Sequence, residues 1–172
     1  YHCRVRIWGW LAPTAIDSSR KNISNHSIQQ LVRLCGSHPA EVEPMQNALG
    51  DLMPLFVDQN GCHCLSAALA SLAAKDSQFI FDCACENALL ISRDRFGCAI
   101  LQRCLDSGSP EQQNSLAEAI CAHARDLAAD TQGNYIIQHV LAMTSEGAEA
   151  VIAALSGSFF ALSTHKFASN VK

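Results

Sequence analysis

Apolar residues return along this chain at a fixed register. Zero positions at 24, 61, 97, 133 and 168 stand 37, 36, 36 and 35 residues apart. Leu55, Ile91, Leu127 and Leu162 lie six residues before a zero. Ile28, Leu65, Leu101 and Ile137 lie four after it, and Val32, Leu69, Leu105 and Leu141 eight after it. Plus four and plus eight are one helical turn apart and share a face. The pattern predicts two helices per unit. The first of each pair is expected at 41–56, 77–91, 110–128 and 146–162, and the second at 24–35, 61–73, 97–106 and 133–144. Asp58, Asp94 and Asp130 stand three residues before zero, where an N-cap is expected. Pro110-Glu111-Gln112-Gln113 and Glu146-Gly147 read as helix entries with acids in the first turn. Gly36-Ser37-His38-Pro39 and Ser107-Gly108-Ser109-Pro110 read as breaks. A two-helix unit of this length cannot cover its own apolar face, whereas stacked units can. The expected fold is therefore all-α, an α-solenoid of repeats.

Polar positions repeat too. Plus one, plus two and plus five read Asn25/His26/Gln29, Cys62/His63/Ser66, Cys98/Ala99/Gln102 and Asn134/Tyr135/Gln138, with Ser169/Asn170 opening a last set. Three of the four complete sets end in Gln, and none holds a large aliphatic residue. Spacing of four puts plus one and plus five on one helix face, with plus two beside them. Paired amides can donate to and accept from the edge of a planar base while the plus-two side chain stacks on its face. Such stacking contributes about 1–3 kcal/mol per base.

Composition changes this picture in two places. A formal charge of −4 and a pI near 5.9 give no basic surface of the usual nucleic-acid-binding kind. Nine cysteines, an odd number without a Cys-x-x-Cys pair, read as buried thiols of a reducing compartment rather than a disulfide or zinc framework. Cys35 and Cys104 belong to the core in this reading. His123, His139 and His165 have no Cys or acid at metal-ligand spacing, so no metal or cofactor is expected. Cys62 and His63 are the best nucleophile–base pair available, but sequence neighbours do not face each other on a helix. No enzyme is expected. There is no secretory signal and no apolar run near membrane length, so no membrane is expected as a partner.

Gly133-Asn134-Tyr135-Ile136-Ile137-Gln138-His139-Val140-Leu141 and His165-Lys166-Phe167-Ala168-Ser169-Asn170-Val171 resemble the Pumilio (PUF) family of RNA-binding repeats. The resemblance covers about residues 22–172. It implies a right-handed superhelix of Pumilio-type repeats whose inner helices each read one base, running antiparallel to single-stranded RNA. It implies messenger RNA 3′ untranslated regions as targets, protein effectors of repression or decay, a cytoplasmic location, and no small-molecule substrate. In that family an Asn/Gln pair reads uracil, Cys/Gln adenine and Ser/Glu guanine. Carried over, Asn134 and Gln138 read uracil with Tyr135 stacking, and Asn25 and Gln29 read uracil with His26 stacking. Cys98 and Gln102 read adenine. Ser169 and Asn170 open a guanine reader whose Glu would fall beyond Lys172. Cys62, His63 and Ser66 match no code. The implied site runs (G)-U-A-N-U, part of a UGUA-containing element.

The chain departs from the family pattern. Ala99 stands where a stacking Arg is usual, Ser66 replaces Gln, four full markers stand in place of eight, and the charge is acidic. An alternative reading follows: a protein-binding helical-repeat scaffold with weak or lost RNA affinity. The absence of an initial Met fits a fragment or processed form. The apolar face of helix 146–162, with Ile152, Leu155 and Phe159, is expected to be incompletely covered. Residues 1–20 do not resemble the repeats and are set apart from a repeat domain at 21–172. Their alternation of Arg4, Arg6, Trp8 and Trp10 suits an arm for nucleic acid or a membrane surface, or an extended cap or disordered leader. The latter is expected, since Pro13 soon interrupts the pattern. Arg93-Asp94-Arg95 reads as a solvated loop or as cations for an RNA backbone.

Overall fold

The computed structural model describes residues 2–143, 145–157, 162–164, 166–168 and 171, with the backbone alone at 2–5, 145 and 146. Helices joined by turns, bends and short irregular links account for these residues, and no strand occurs among them. The chain divides into two compact units, Tyr1–Cys83 and Ala84–Lys172.

The first unit contains α1 (His2–Leu11), α2 (Ala15–Arg20), α3 (Asn25–Gly36), α4 (Val42–Leu49), α5 (Met53–Phe56) and α6 (Gly61–Ser71). A 3₁₀ turn at Pro39–Glu41 leads into α4, and another at Ala74–Asp76 leads to α7 (Gln78–Glu86), which carries the boundary. The second unit contains α8 (Ala88–Arg93), α9 (Arg95–Ser107), α10 (Pro110–Cys121), α11 (Ala124–Ala128), α12 (Gly133–Met143) and α13 (Ser145–Leu155).

The expected second helices are present as α3, α6, α9 and α12. The expected first helices are not single. Segments 41–56, 77–91 and 110–128 each break into a longer helix and a short one: α4 and α5, α7 and α8, α10 and α11. Gly50 leaves helical space at φ 55°, which favours glycine. Asn87 and His123 leave it at φ −116° and −113°, ψ 20° and 16°. The break re-aims the short helix so that its minus-six residue points into the core. Leu55, Ile91 and Leu127 are fully buried, as are Ile28, Leu65, Leu101 and Ile137 at plus four. At plus eight Val32 and Leu105 are buried, and Leu69 and Leu141 half-buried.

Glycine at zero has a steric cause. A Cβ on Gly61 would lie 2.8 Å from the Cα of Leu55, and one on Gly133 would lie 2.9 Å from the carbonyl oxygen of Leu127. A Cβ on Gly97 would overlap the carbonyl oxygen of Ile91. Each marker helix therefore rests against its short helix at the minus-six residue. Ser24 occupies zero in the first set, and its Oγ donates instead to the carbonyl of Ser18, again six residues back, at 2.7 Å.

This contact corrects the reading of residues 1–20. The described residues 2–20 are not extended: α1 and α2 are helices, Trp8 is 1% exposed, and α2 stands to α3 as α5 stands to α6. Burial of one large indole outweighs the weak periodicity that made the segment look unlike the rest. At the other end α13 stops at Leu155, before Gly157 at φ 79°. Ile152 is 51% exposed and Leu155 is buried. Phe159 lies outside the described residues.

Candidate nucleic-acid interface

Three of the four marker helices, α6, α9 and α12, are started by the same device. Oδ1 of Asp58 accepts from the backbone N–H groups of Asn60 and Gly61 at 2.9 and 2.8 Å. Asp94 does the same for Phe96 and Gly97, and Asp130 for Gln132 and Gly133, all at 2.8–3.0 Å. Two otherwise unpaired donors are met in each case, which fixes where the plus-one residue begins its turn. Arg20 reaches Asp58 at 3.3 Å and Arg93 reaches Asp130 at 3.8 Å. Both arginines are exposed, so these pairs orient more than they stabilise.

In the second unit, the side chains that follow this start on α12 are ordered by their own bonds. Asn134 is 1% exposed, and its Nδ2 donates to the carbonyls of Asp130 and Thr131 at 2.9 and 3.1 Å. Its Oδ1 accepts from Nε2 of half-buried Gln138 at 3.0 Å. Tyr135 beside them is 54% exposed. On α9, Cys98 is buried and its Sγ donates to the carbonyl of Gln132 at 3.7 Å; burial pushes its pKa up to about 11, so it is a neutral thiol at pH 7. Ala99 is exposed and Gln102 half-buried.

In the first unit, α3 repeats the amide pair. Nε2 of Gln29 donates to Oδ1 of Asn25 at 2.7 Å, with both residues buried and His26 exposed. On α6, Cys62 is half-buried with its Sγ turned to the carbonyl of Gln59 at 3.0 Å, His63 is exposed and Ser66 half-buried. All four plus-two residues thus face solvent while all four plus-four residues face the core. Among the described residues no group of three or more His, Cys, Asp or Glu could hold a metal ion, and no helix is long and apolar enough to cross a membrane.

The model for the Pumilio-family RNA binding repeat matches residues 87–121, 123–148 and 158–171. The chain is 37% identical over 163 residues to a Pumilio domain-containing protein (C6G9.14) of Schizosaccharomyces pombe, covering 94% of this chain and 24% of the relative. The chain belongs to the Pumilio family. Pumilio homology domain family member 4 of Saccharomyces cerevisiae is 34% identical over 138 residues, covering 75% of this chain and 16% of that protein. The solved structure of the Puf4 RNA binding domain, bound to the HO endonuclease RNA 3′ UTR recognition sequence, superposes with a TM-score of 0.86 at 29% identity. It covers 98% of this chain and 54% of that one, so the fold is the helical repeat of Pumilio RNA-binding domains. The chain spans about a quarter or less of the curated relatives named here and about half of the Puf4 domain.

Against the Pumilio pattern, the structure brings Asn25 to Gln29 and Asn134 to Gln138. The thiol of Cys98 turns instead to the Gln132 carbonyl. Ser169, Asn170 and His165 lie outside the described residues. The Arg93-Asp94-Arg95 run is not a plain solvated loop: Asp94 caps α9, Arg93 faces Asp130, and Arg95 lies 4.6 Å over the Phe96 ring. Sequence reasoning missed three partners. Arg33 donates to Oε1 of Gln29 at 3.2 Å, Cys64 donates its thiol to Oδ1 of Asn25 at 3.3 Å, and His139 Nε2 lies 2.8 Å from Asp106. The first was available as a spacing of four from Gln29; the other two join different helices and left no local signal.

Proposed function

We propose that this Pumilio chain binds single-stranded RNA sequence-selectively. Each marker helix offers its plus-five side chain to a base edge and its plus-two side chain to the base face, and on α3 and α12 the buried plus-one Asn orients the Gln at plus five. The observation that carries the reading is the amide pair of α12. Its orientation is fixed by the Asp130 and Thr131 carbonyls, and the exposed Tyr135 ring lies alongside. Gln138 keeps Oε1 and one Nε2 hydrogen for an incoming partner, an acceptor beside a donor, which suits the N3–H and O4 of uracil. The finer reading is a UGUA-like element in messenger RNA 3′ untranslated regions, with control of stability and translation in the cytoplasm through protein effectors. The Puf4 complex with a 3′ UTR sequence supports it.

The test is binding to UGUA-containing and scrambled oligonucleotides by the chain and by its Asn134→Ala, Gln138→Ala double variant. Selective binding that the double variant loses, with its helical circular dichroism kept, is the expected result. Equal weak binding of both RNAs overturns it. The acidic balance and the exposed Ala99 favour a second reading, a protein-binding repeat scaffold. Proteins recovered after nuclease treatment, with no enriched RNA, would select that reading.

A further inference from the structure

The two Asn/Gln pairs are alike in sequence but do not present the same edge. On α12 the residue one turn beyond Gln138 is Ala142, and Oε1 of Gln138 has no hydrogen-bond partner among the described residues. On α3 the residue one turn beyond Gln29 is Arg33. A helical side chain leans toward the N-terminus, over the turn before it. Arg33 does so, and its Nη2 donates to Oε1 of Gln29 at 3.2 Å. Oδ1 of Asn25 is also taken twice, by Gln29 Nε2 at 2.7 Å and by the Cys64 thiol at 3.3 Å. Both lone pairs of Asn25 Oδ1 are therefore taken, and Gln29 Oε1 keeps one, which lies beside the Arg33 guanidinium. The second hydrogen of Gln29 Nε2 and the remaining guanidinium hydrogens of exposed Arg33 are donors.

We infer that Arg33 is a specificity-determining residue that turns the Asn25/Gln29 pair from a uracil reader into a reader of bases with adjacent acceptors. Uracil places a donor, N3–H, between its two carbonyls, and that donor must share Gln29 Oε1 with the Arg33 guanidinium. Cytosine offers N3 and O2 side by side, and guanine offers O6 and N7; a guanidinium fork matches either. An RNA donor that must share an acceptor with a neighbouring guanidinium makes a weaker hydrogen bond and crowds a cation, whereas an RNA acceptor there gains a charge-assisted bond. The inference rests on the RNA reading above and concerns one helix of it.

Two RNA series separate the claims. In 5′-GUAAN-3′ the last base, which the implied register places at α3, is varied. In 5′-GNAAU-3′ the second base, placed at α12, is varied. The wild-type chain should bind cytosine or guanine about tenfold better than uracil in the first series, the weight of one hydrogen bond, and prefer uracil in the second. Arg33→Ala should move the first preference to uracil and leave the second unchanged, with the same helical circular dichroism. A purely structural or phosphate-binding Arg33 would lower affinity for every RNA equally and leave both preferences in place, which overturns the inference. So does a wild-type preference for uracil in the first series. Absence of base preference in both series overturns the RNA reading and the inference with it.

Discussion

Ser92 is fully buried on α8, and its Oγ has no hydrogen-bond partner among the described residues. The same register position, five before zero, holds Ser19, Phe56 and Ala128 in the other sets, and there Ser19 satisfies its hydroxyl on the carbonyl of Ala15 at 2.8 Å. An unmet buried hydroxyl costs about 1–3 kcal/mol. Ser92→Ala is therefore expected to raise the stability of the chain by about 1 kcal/mol in urea titration; a loss of that size would show that Ser92 has a partner in solution. The thiols make a second residue-level case. Burial raises Cys64 and Cys98 from an ordinary 9.0 to about 11 and Cys104 to about 12. Between those values the unfolded chain has lost protons that the folded chain keeps, so the unfolded state binds fewer protons and stability falls as pH rises. Stability should be insensitive to these groups below pH 9 and decline from pH 9 toward 12. Denaturation midpoints taken across that range check it against a variant with Cys104→Ala, whose decline should be shallower.

At the scale of elements, how much could be read in advance depended on whether a signal was local. The marker helices were legible because zero, plus four and plus eight fix a face, and every plus-four residue is buried. The breaks at Asn87 and His123 were not, because neither residue is a strong helix breaker; what parts the helices there is the seating of Ile91 and Leu127 under the next marker. The helical state of residues 2–11 was missed for the same reason, since Trp8 finds its core only in three dimensions. The zero glycines show the trade most clearly. Alanine favours a helix by about 1 kcal/mol over glycine. In α1, a methyl carbon added at Gly9 would meet no atom within 4 Å, so Gly9→Ala should stabilise by up to about 1 kcal/mol. At Gly133 the added carbon would meet the Leu127 backbone at 2.9–3.0 Å, which cannot move away as a side-chain tip can. Overpacking of this kind costs about 1–3 kcal/mol and should outweigh propensity. Thermal melts of the two variants should shift in opposite directions; a stabilised Gly133→Ala would mean that the short helices slide freely over their markers.

For the molecule as a whole, charge bears most directly on how RNA would be held. The net charge is −4, and several arginines are already engaged: Arg20 and Arg93 on aspartates, Arg33 on Gln29, and Arg125 on the carbonyls of Ala154 and Ser156 at 3.1 Å. The sequence showed the acidic balance, but only the side-chain contacts show how many cations are tied down. Affinity built on phosphate neutralisation would release one counterion per contact, and log K would fall by about 0.7 per phosphate with each tenfold rise in salt on a single strand. Base edges and ring faces release none. Binding of a UGUA-type oligonucleotide is therefore expected to show a slope no steeper than about −1.5, equivalent to roughly two phosphate contacts. A slope several times steeper, measured by anisotropy from about 50 to 300 mM salt, would place the affinity on the exposed cations instead. The amide pairs would then lose their role as the principal source of binding, because hydrogen bonds to neutral bases cannot generate that dependence.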